Sequence, residues 1–140
     1  DCEKLSEIDI PNSVDNMEGA VFSGCSSLTS ITIPENVTCI DSEVFHNCIS
    51  LTNVSFGENS QLKSIGNYAF SGCSSLTSVT IPESVVSIGY SAFSGCSNLT
   101  SITIPEGVTT IETDAFSRCS SLTSIIIPRS TTSIGTHAFV

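Results

Sequence analysis

The residues of this chain that could do chemistry are seven cysteines, two histidines and a file of glutamates, and their spacing limits what each can do. Six cysteines, Cys2, Cys25, Cys48, Cys73, Cys96 and Cys119, recur every 23 residues, with one interval of 25. Thiols at one register of successive units stack in a column. Neighbouring strands lie about 4.8 Å apart, inside the Cα range for a disulfide, yet stacked side chains point the same way and not at each other. Zinc would need four ligands, and neither a CxxC pair nor a histidine cluster supplies them. The column therefore reads as buried free thiols packing as small hydrophobes. Cys39 stands apart. Its register-mates Asn16, Ser64, Ser87, Thr110 and Ser133 are polar, which predicts a thiol facing solvent, open to a crosslink or a modification.

Nucleophilic catalysis needs a nucleophile, a base and a group that orients the base. His46 and His137 fall four units apart, about 20 Å at one strand spacing per unit, and neither has a plausible nucleophile with an orienting acid beside it. Glu35, Glu58, Glu83 and Glu106 form a ladder that ends in Arg129. They lack the alternating ligand loop and bidentate glutamate of a calcium site. The chain is expected not to be an enzyme and to need no cofactor. Asn36, Asn53 and Asn98 begin N-x-S/T sequons, which arise easily in a chain so rich in Ser and Thr and matter only in a eukaryotic secretory protein.

Composition narrows the partners. Four basic against 14 acidic residues give a net charge of -10. That disfavours nucleic acid, whose phosphates demand a Lys/Arg stripe, and anionic lipid surfaces. No apolar run approaches the roughly 18 residues that span a bilayer, and the opening DCEKLSEIDI is not a signal peptide. The pattern begins and ends in mid-unit, so a fragment of a longer protein is expected.

The elements that must position these residues follow from the period. Six units cover 2–24, 25–47, 48–72, 73–95, 96–118 and 119–140, and self-similarity at such a period marks a solenoid. In the fourth, Leu76, Val79 and Ile81 form an L-x-x-V-x-I pattern whose last part alternates as a half-buried strand does, and Pro82 suits the strand exit because it cannot donate to a ladder. Val85 and Ile88 form a second short apolar pair. Ala92-Phe93 sits in a stretch long enough only for one helical or 3₁₀ turn. With Cys73 these residues form the inward set, which no single coil could close but stacked coils share. Six of seven phenylalanines, Phe22, Phe45, Phe70, Phe93, Phe116 and Phe139, hold one register and predict an internal aromatic spine.

The pattern C-x-x-L-x-x-I-x-I-P-x-x-V-x-x-I-x-x-x-A-F, carried by all six units, closely resembles the BspA-like, or treponemal-type, leucine-rich repeat. The resemblance implies one leucine-rich-repeat domain over 1–140, an α/β repeat solenoid. It would be an arc with parallel strands on the concave face and short helical or 3₁₀ turns on the convex face. It also implies a cell-surface or secreted protein with a role in adhesion.

Residues of each strand not committed to the core fall into columns. Ser30, Asn53, Ser78 and Ser101 belong to one, and Thr32, Ser55, Thr80 and Thr103 to the next. These eight are the candidate ligand-binding residues of the concave face, for an extracellular or host protein or a glycan. The columns lack the Tyr, Trp and Arg that anchor tight interfaces. The alternative is a structural spacer projecting another domain. Departures from the repeat add two expectations. The third unit replaces its proline with Gly57 and gains two residues, which puts Gly57-Glu58-Asn59-Ser60-Gln61 in a loop, either a tolerated bulge or a ligand contact. Neither end carries a polar cap, and Ile126 stands where strands show Thr or Ser, so self-association through uncapped ends is the further possibility.

Overall fold

The computed structural model describes residues 2–140. Alternation in the first half of the second to fifth units produces four strands on one side: β1 (Ser30–Ile33), β3 (Asn53–Phe56), β5 (Ser78–Thr80) and β7 (Ser101–Thr103). The second apolar pair of the second to sixth units produces two-residue strands on another side: β2 (Cys39–Ile40), β4 (Ser64–Ile65), β6 (Ser87–Ile88), β8 (Thr110–Ile111) and β9 (Ser133–Ile134). All pairings are parallel and in repeat register, Ile31 opposite Val54, Val79 opposite Ile102 and Ile65 opposite Ile88. The short strands form one continuous sheet, β2-β4-β6-β8-β9, whereas the long strands form two separate pairs, β1-β3 and β5-β7.

The inward set is buried as the alternation demands: Cys73, Leu76, Val79, Ile81, Val85, Ile88, Ala92 and Phe93 all lie in one core cluster. The phenylalanines stack face to face along the axis, centroids 5.2 Å apart for Phe45–Phe70 and Phe70–Phe93, with ring planes within 14°. Such spacing is that of offset-stacked rings, and each burial is worth about 1.5–3 kcal/mol. The spine loosens at its ends, where Phe22 is half-buried and Phe139 is exposed.

Beside the spine the expectation of helical or 3₁₀ turns is corrected. No helix forms among the described residues; each Phe-bearing segment is a run of hydrogen-bonded turns. In the third coil Ala69, Ser71 and Cys73 donate back to Gly66, Tyr68 and Phe70, while the alternate residues Tyr68, Phe70 and Gly72 donate forward to Tyr90, Ala92 and Ser94 of the next coil at 2.8–2.9 Å. Beyond its first turn a helix keeps its N–H groups within its own segment. Here every second one is committed to the neighbouring coil, which requires left-handed backbone at Tyr68 (φ 56°) and Gly72 (φ 77°), and again at Ser91 and Gly95. That conformation costs about 1–2 kcal/mol for a residue with a Cβ, offset by an intercoil bond at the same residue.

Candidate functional site

The candidate residues lie where the alternation places them, on the outward side of the long strands. Ser30, Thr32, Asn53, Ser78, Thr80, Ser101 and Thr103 are exposed, and Ser55 is half-buried. Register brings Ser30 beside Asn53, Thr32 beside Ser55, Ser78 beside Ser101 and Thr80 beside Thr103. Their freedom to take a ligand differs. Thr32 and Ser55 share a hydrogen bond of 2.9 Å, and Ser55 also donates to the Ile31 carbonyl. The column just before them is spent on the fold: the hydroxyls of Thr29, Thr52 and Thr100 each donate to the carbonyl one coil back.

The eight residues do not form one surface, because the long-strand sheet is interrupted between the third and fourth coils. Thr52 and Thr100 donate their amides to Thr29 and Thr77 at 2.9 Å, but among the described residues the equivalent amide of Thr77 has no backbone partner. The two-residue insertion explains the break. Its loop is fastened to the second coil at both ends, Gly57 N–H to the Ile33 carbonyl and Gln61 N–H to the Glu35 carbonyl. Gly57 packs so closely on Glu35 that an added Cβ would lie 2.8 Å from the glutamate's own. The longer corner leaves β3 out of reach of β5, while the short-strand sheet stays zipped through Ile65 and Ile88.

A groove of about 620 Å³ occupies this seam, walled by Asn53, Ser55 and Phe56 on one side and Ser78, Thr80 and Ser84 on the other, with the loop across one end. Four of the eight candidate residues therefore line one cavity. Ser84, in that lining, has a solvent-shielded hydroxyl with no hydrogen-bond partner. Phe56, where Ile33, Ile81 and Ile104 stand in other coils, is half-buried and lines the groove.

The thiols behave largely as their register predicts. Cys25, Cys48, Cys73, Cys96 and Cys119 are buried, and Cys2, in the first coil, is exposed. Cys48, Cys73, Cys96 and Cys119, each the first residue of its unit, donate S–H to the carbonyl of a phenylalanine 26 or 28 residues back, just over one turn of the solenoid, all at 3.2 Å. Burial pushes Cys48 up to about 12 and Cys119 up to about 11. Cys39 lies on the outward side of its strand, as its register predicts, but is only partly exposed: it donates to Asp41 Oδ1 at 3.3 Å and accepts from Ser64 Oγ at 3.1 Å. Burial is the largest cause raising its thiol above the ordinary value. His46 contacts Asn47 and lies edge-on to Tyr68, whereas His137 stands 4.0 Å from Asp114, in another part of the solenoid. Tyr68 and Tyr90, 5.1 Å apart and edge to face, form a small aromatic patch on the turn side. Their spacing of 22 residues is one short of the period, so no column in the sequence announced it.

The family model for the BspA type leucine rich repeat region matches residues 1–61 and 59–140, in six copies. Among solved structures, a leucine-rich repeat protein from Bacteroides ovatus is 30% identical over 99% of this chain and 41% of its own, with a TM-score of 0.71. A leucine rich cell surface protein from Faecalibacterium prausnitzii is 39% identical over 90% of this chain and 40% of its own, TM-score 0.75. The T. pallidum leucine rich repeat protein is 28% identical over 97% and 73%, TM-score 0.66. The chain thus spans about two fifths of the first two. No curated protein matches it.

Proposed function

This chain belongs to the BspA-type leucine-rich repeat family, and from that premise we propose that it is a cell-surface or secreted binding and adhesion module whose long-strand face recognises a protein or glycan. The observation that carries the reading is the set Ser78, Thr80, Ser101 and Thr103: four exposed hydroxyls in register on adjacent strands, none engaged in a side-chain hydrogen bond among the described residues. Hydroxyls on a paired sheet are already ordered, so engaging a polar partner costs little conformational entropy. The F. prausnitzii relative, a cell surface protein, supports the location. A net charge of -10 sets nucleic acid and anionic membranes aside as partners. Affinity per copy is modest, since the face lacks aromatic and arginine anchors, and display in many copies supplies avidity.

The test is surface binding to a panel of extracellular-matrix proteins, host cells and glycans, beside the double variant Ser78→Arg with Thr103→Arg. Both side chains are exposed, so the variant disturbs the face and spares the core. Binding lost in the variant supports recognition through this face. Binding kept moves the site elsewhere. No binding even in multivalent display replaces recognition with the spacer reading.

A further inference from the structure

We propose that the groove at the seam between the third and fourth coils is a pocket for an arginine side chain of a partner protein. This rests on the recognition reading above and assigns that reading a local anchor. The seam is too narrow for a partner's backbone. A strand inserted between β3 and β5 would need them about 9–10 Å apart, twice the ordinary strand spacing, whereas some of their Cα atoms lie within 8 Å. A side chain fits, since about 620 Å³ is within the usual range of ligand pockets, about 300–1,000 Å³.

The lining selects which side chain. Its charged members are Glu58 and Glu83, one from each coil flanking the groove, and no Lys or Arg lines it. Neither glutamate has an ion-pair partner among the described residues. The remaining polar lining includes acceptors: the side-chain carbonyls of Asn53, Asn59 and Gln61, and the carbonyls among the backbone groups of β3 and β5 left unpaired by the broken ladder. Guanidinium is donor-only, with five N–H groups in a planar fork. A planar cation also lies well against an aromatic ring, and Phe56 places one at this seam, where the other coils have isoleucine. An ammonium offers no such plane, and the hydroxyls of a neutral sugar can donate to the two carboxylates but leave their charge uncompensated.

The direct test is backbone amide NMR of the whole chain titrated with a blocked Gly-Arg-Gly peptide and with its citrulline counterpart, which keeps the shape and loses the charge. Shift changes are expected at Phe56, Asn59 and Ser84 with arginine and not with citrulline. Glu58→Gln and Glu83→Gln should each weaken the interaction by up to about five-fold, the upper end for an exposed ion pair. Glu106→Gln, one coil beyond the groove on the same ladder, should change it less than about two-fold. Equal weakening by Glu106→Gln, or shifts along the whole glutamate ladder, would reduce the effect to general charge attraction and overturn the pocket. So would an oligosaccharide that saturates the groove while the arginine peptide leaves it untouched. Binding on the matrix panel that the strand-face double variant abolishes, with no arginine response in the groove, would sink this pocket and leave the recognition reading standing.

Discussion

At each coil boundary a thiol and a phenylalanine carbonyl meet. Cys73 Sγ donates to the Phe45 carbonyl and Cys96 Sγ to that of Phe70, in a space closed to water. The neighbouring ring of Phe93 is stacked on both sides, 5.2 Å from Phe70 and 5.6 Å from Phe116. Phe93→Ala removes both stacks and leaves a cavity that neighbouring coils cannot fill, so denaturant melts should show a loss of about 3–5 kcal/mol. Thr80→Ala, at an exposed position, should stay within about 0.5 kcal/mol. The thiols make a pH prediction whose sign follows from their burial. Cys48 rises from an ordinary 9.0 to about 12 and Cys119 to about 11, so the folded state holds protons that the unfolded chain has released. Their contribution is complete below pH 9 and falls as pH rises from there through 11 and 12. Urea melts should show stability declining through that alkaline window, and the decline should shrink in a Cys48→Ala, Cys119→Ala variant. In native thiol labelling Cys2 should react fast while Cys73 and Cys96 stay protected.

Strands and turns divide the work of joining coils unequally. The short-strand sheet zips every coil from the second to the sixth, and the Phe-bearing turns also join the first. The long-strand side is interrupted between β3 and β5, at the two-residue insertion, and thins to one bridge at the sixth coil. Hydrogen exchange should therefore be faster at the Thr77 amide than at Thr52 or Thr100, which are its repeat equivalents and are bonded to the coil before. Deleting two residues from the loop 57–61 restores the 23-residue spacing. It should slow Thr77 exchange to the level of Thr100 and close the groove, and unchanged exchange would show that the loop is not what holds the strands apart. An enlarged corner thus converts a structural frame into a cavity without disturbing the core, because Leu62 and Val85 on either side of it stay buried.

Over the whole molecule each coil is held by its neighbours, so stability is a sum of local interfaces and is lowest at the ends. The first coil forms no strand among the described residues. It joins the second through one β-bridge, Met17 to Ile40, and through turn hydrogen bonds such as Phe22 N–H to the Val44 carbonyl and Gly24 N–H to that of His46. The one β-bridge of the sixth on the long-strand side is Thr103 to Ile126. Ile126 is 82% exposed and Val140 76%. Amide exchange across 2–24 and 119–140 should outpace the four central coils, and uniform protection would contradict the additive picture.

The sequence by itself determined the number of coils, the inward set and the outward columns, because a fixed period forces each residue type into one environment six times over. Cys73 and Phe93, for example, belong to the core on their register alone. The period also located the insertion at 57–61. Tertiary structure alone decided what the insertion does, since whether β3 still reaches β5 depends on how the longer corner packs on Glu35 of the coil before. It also turned the expected helical segments into chains of turns, because every second N–H there is claimed by the next coil, a competition that a single repeat cannot display. The partners of Cys39 belong with these: its polar register-mates placed it on the outward side, but its bond from Ser64 joins residues of two coils that only stacking brings together.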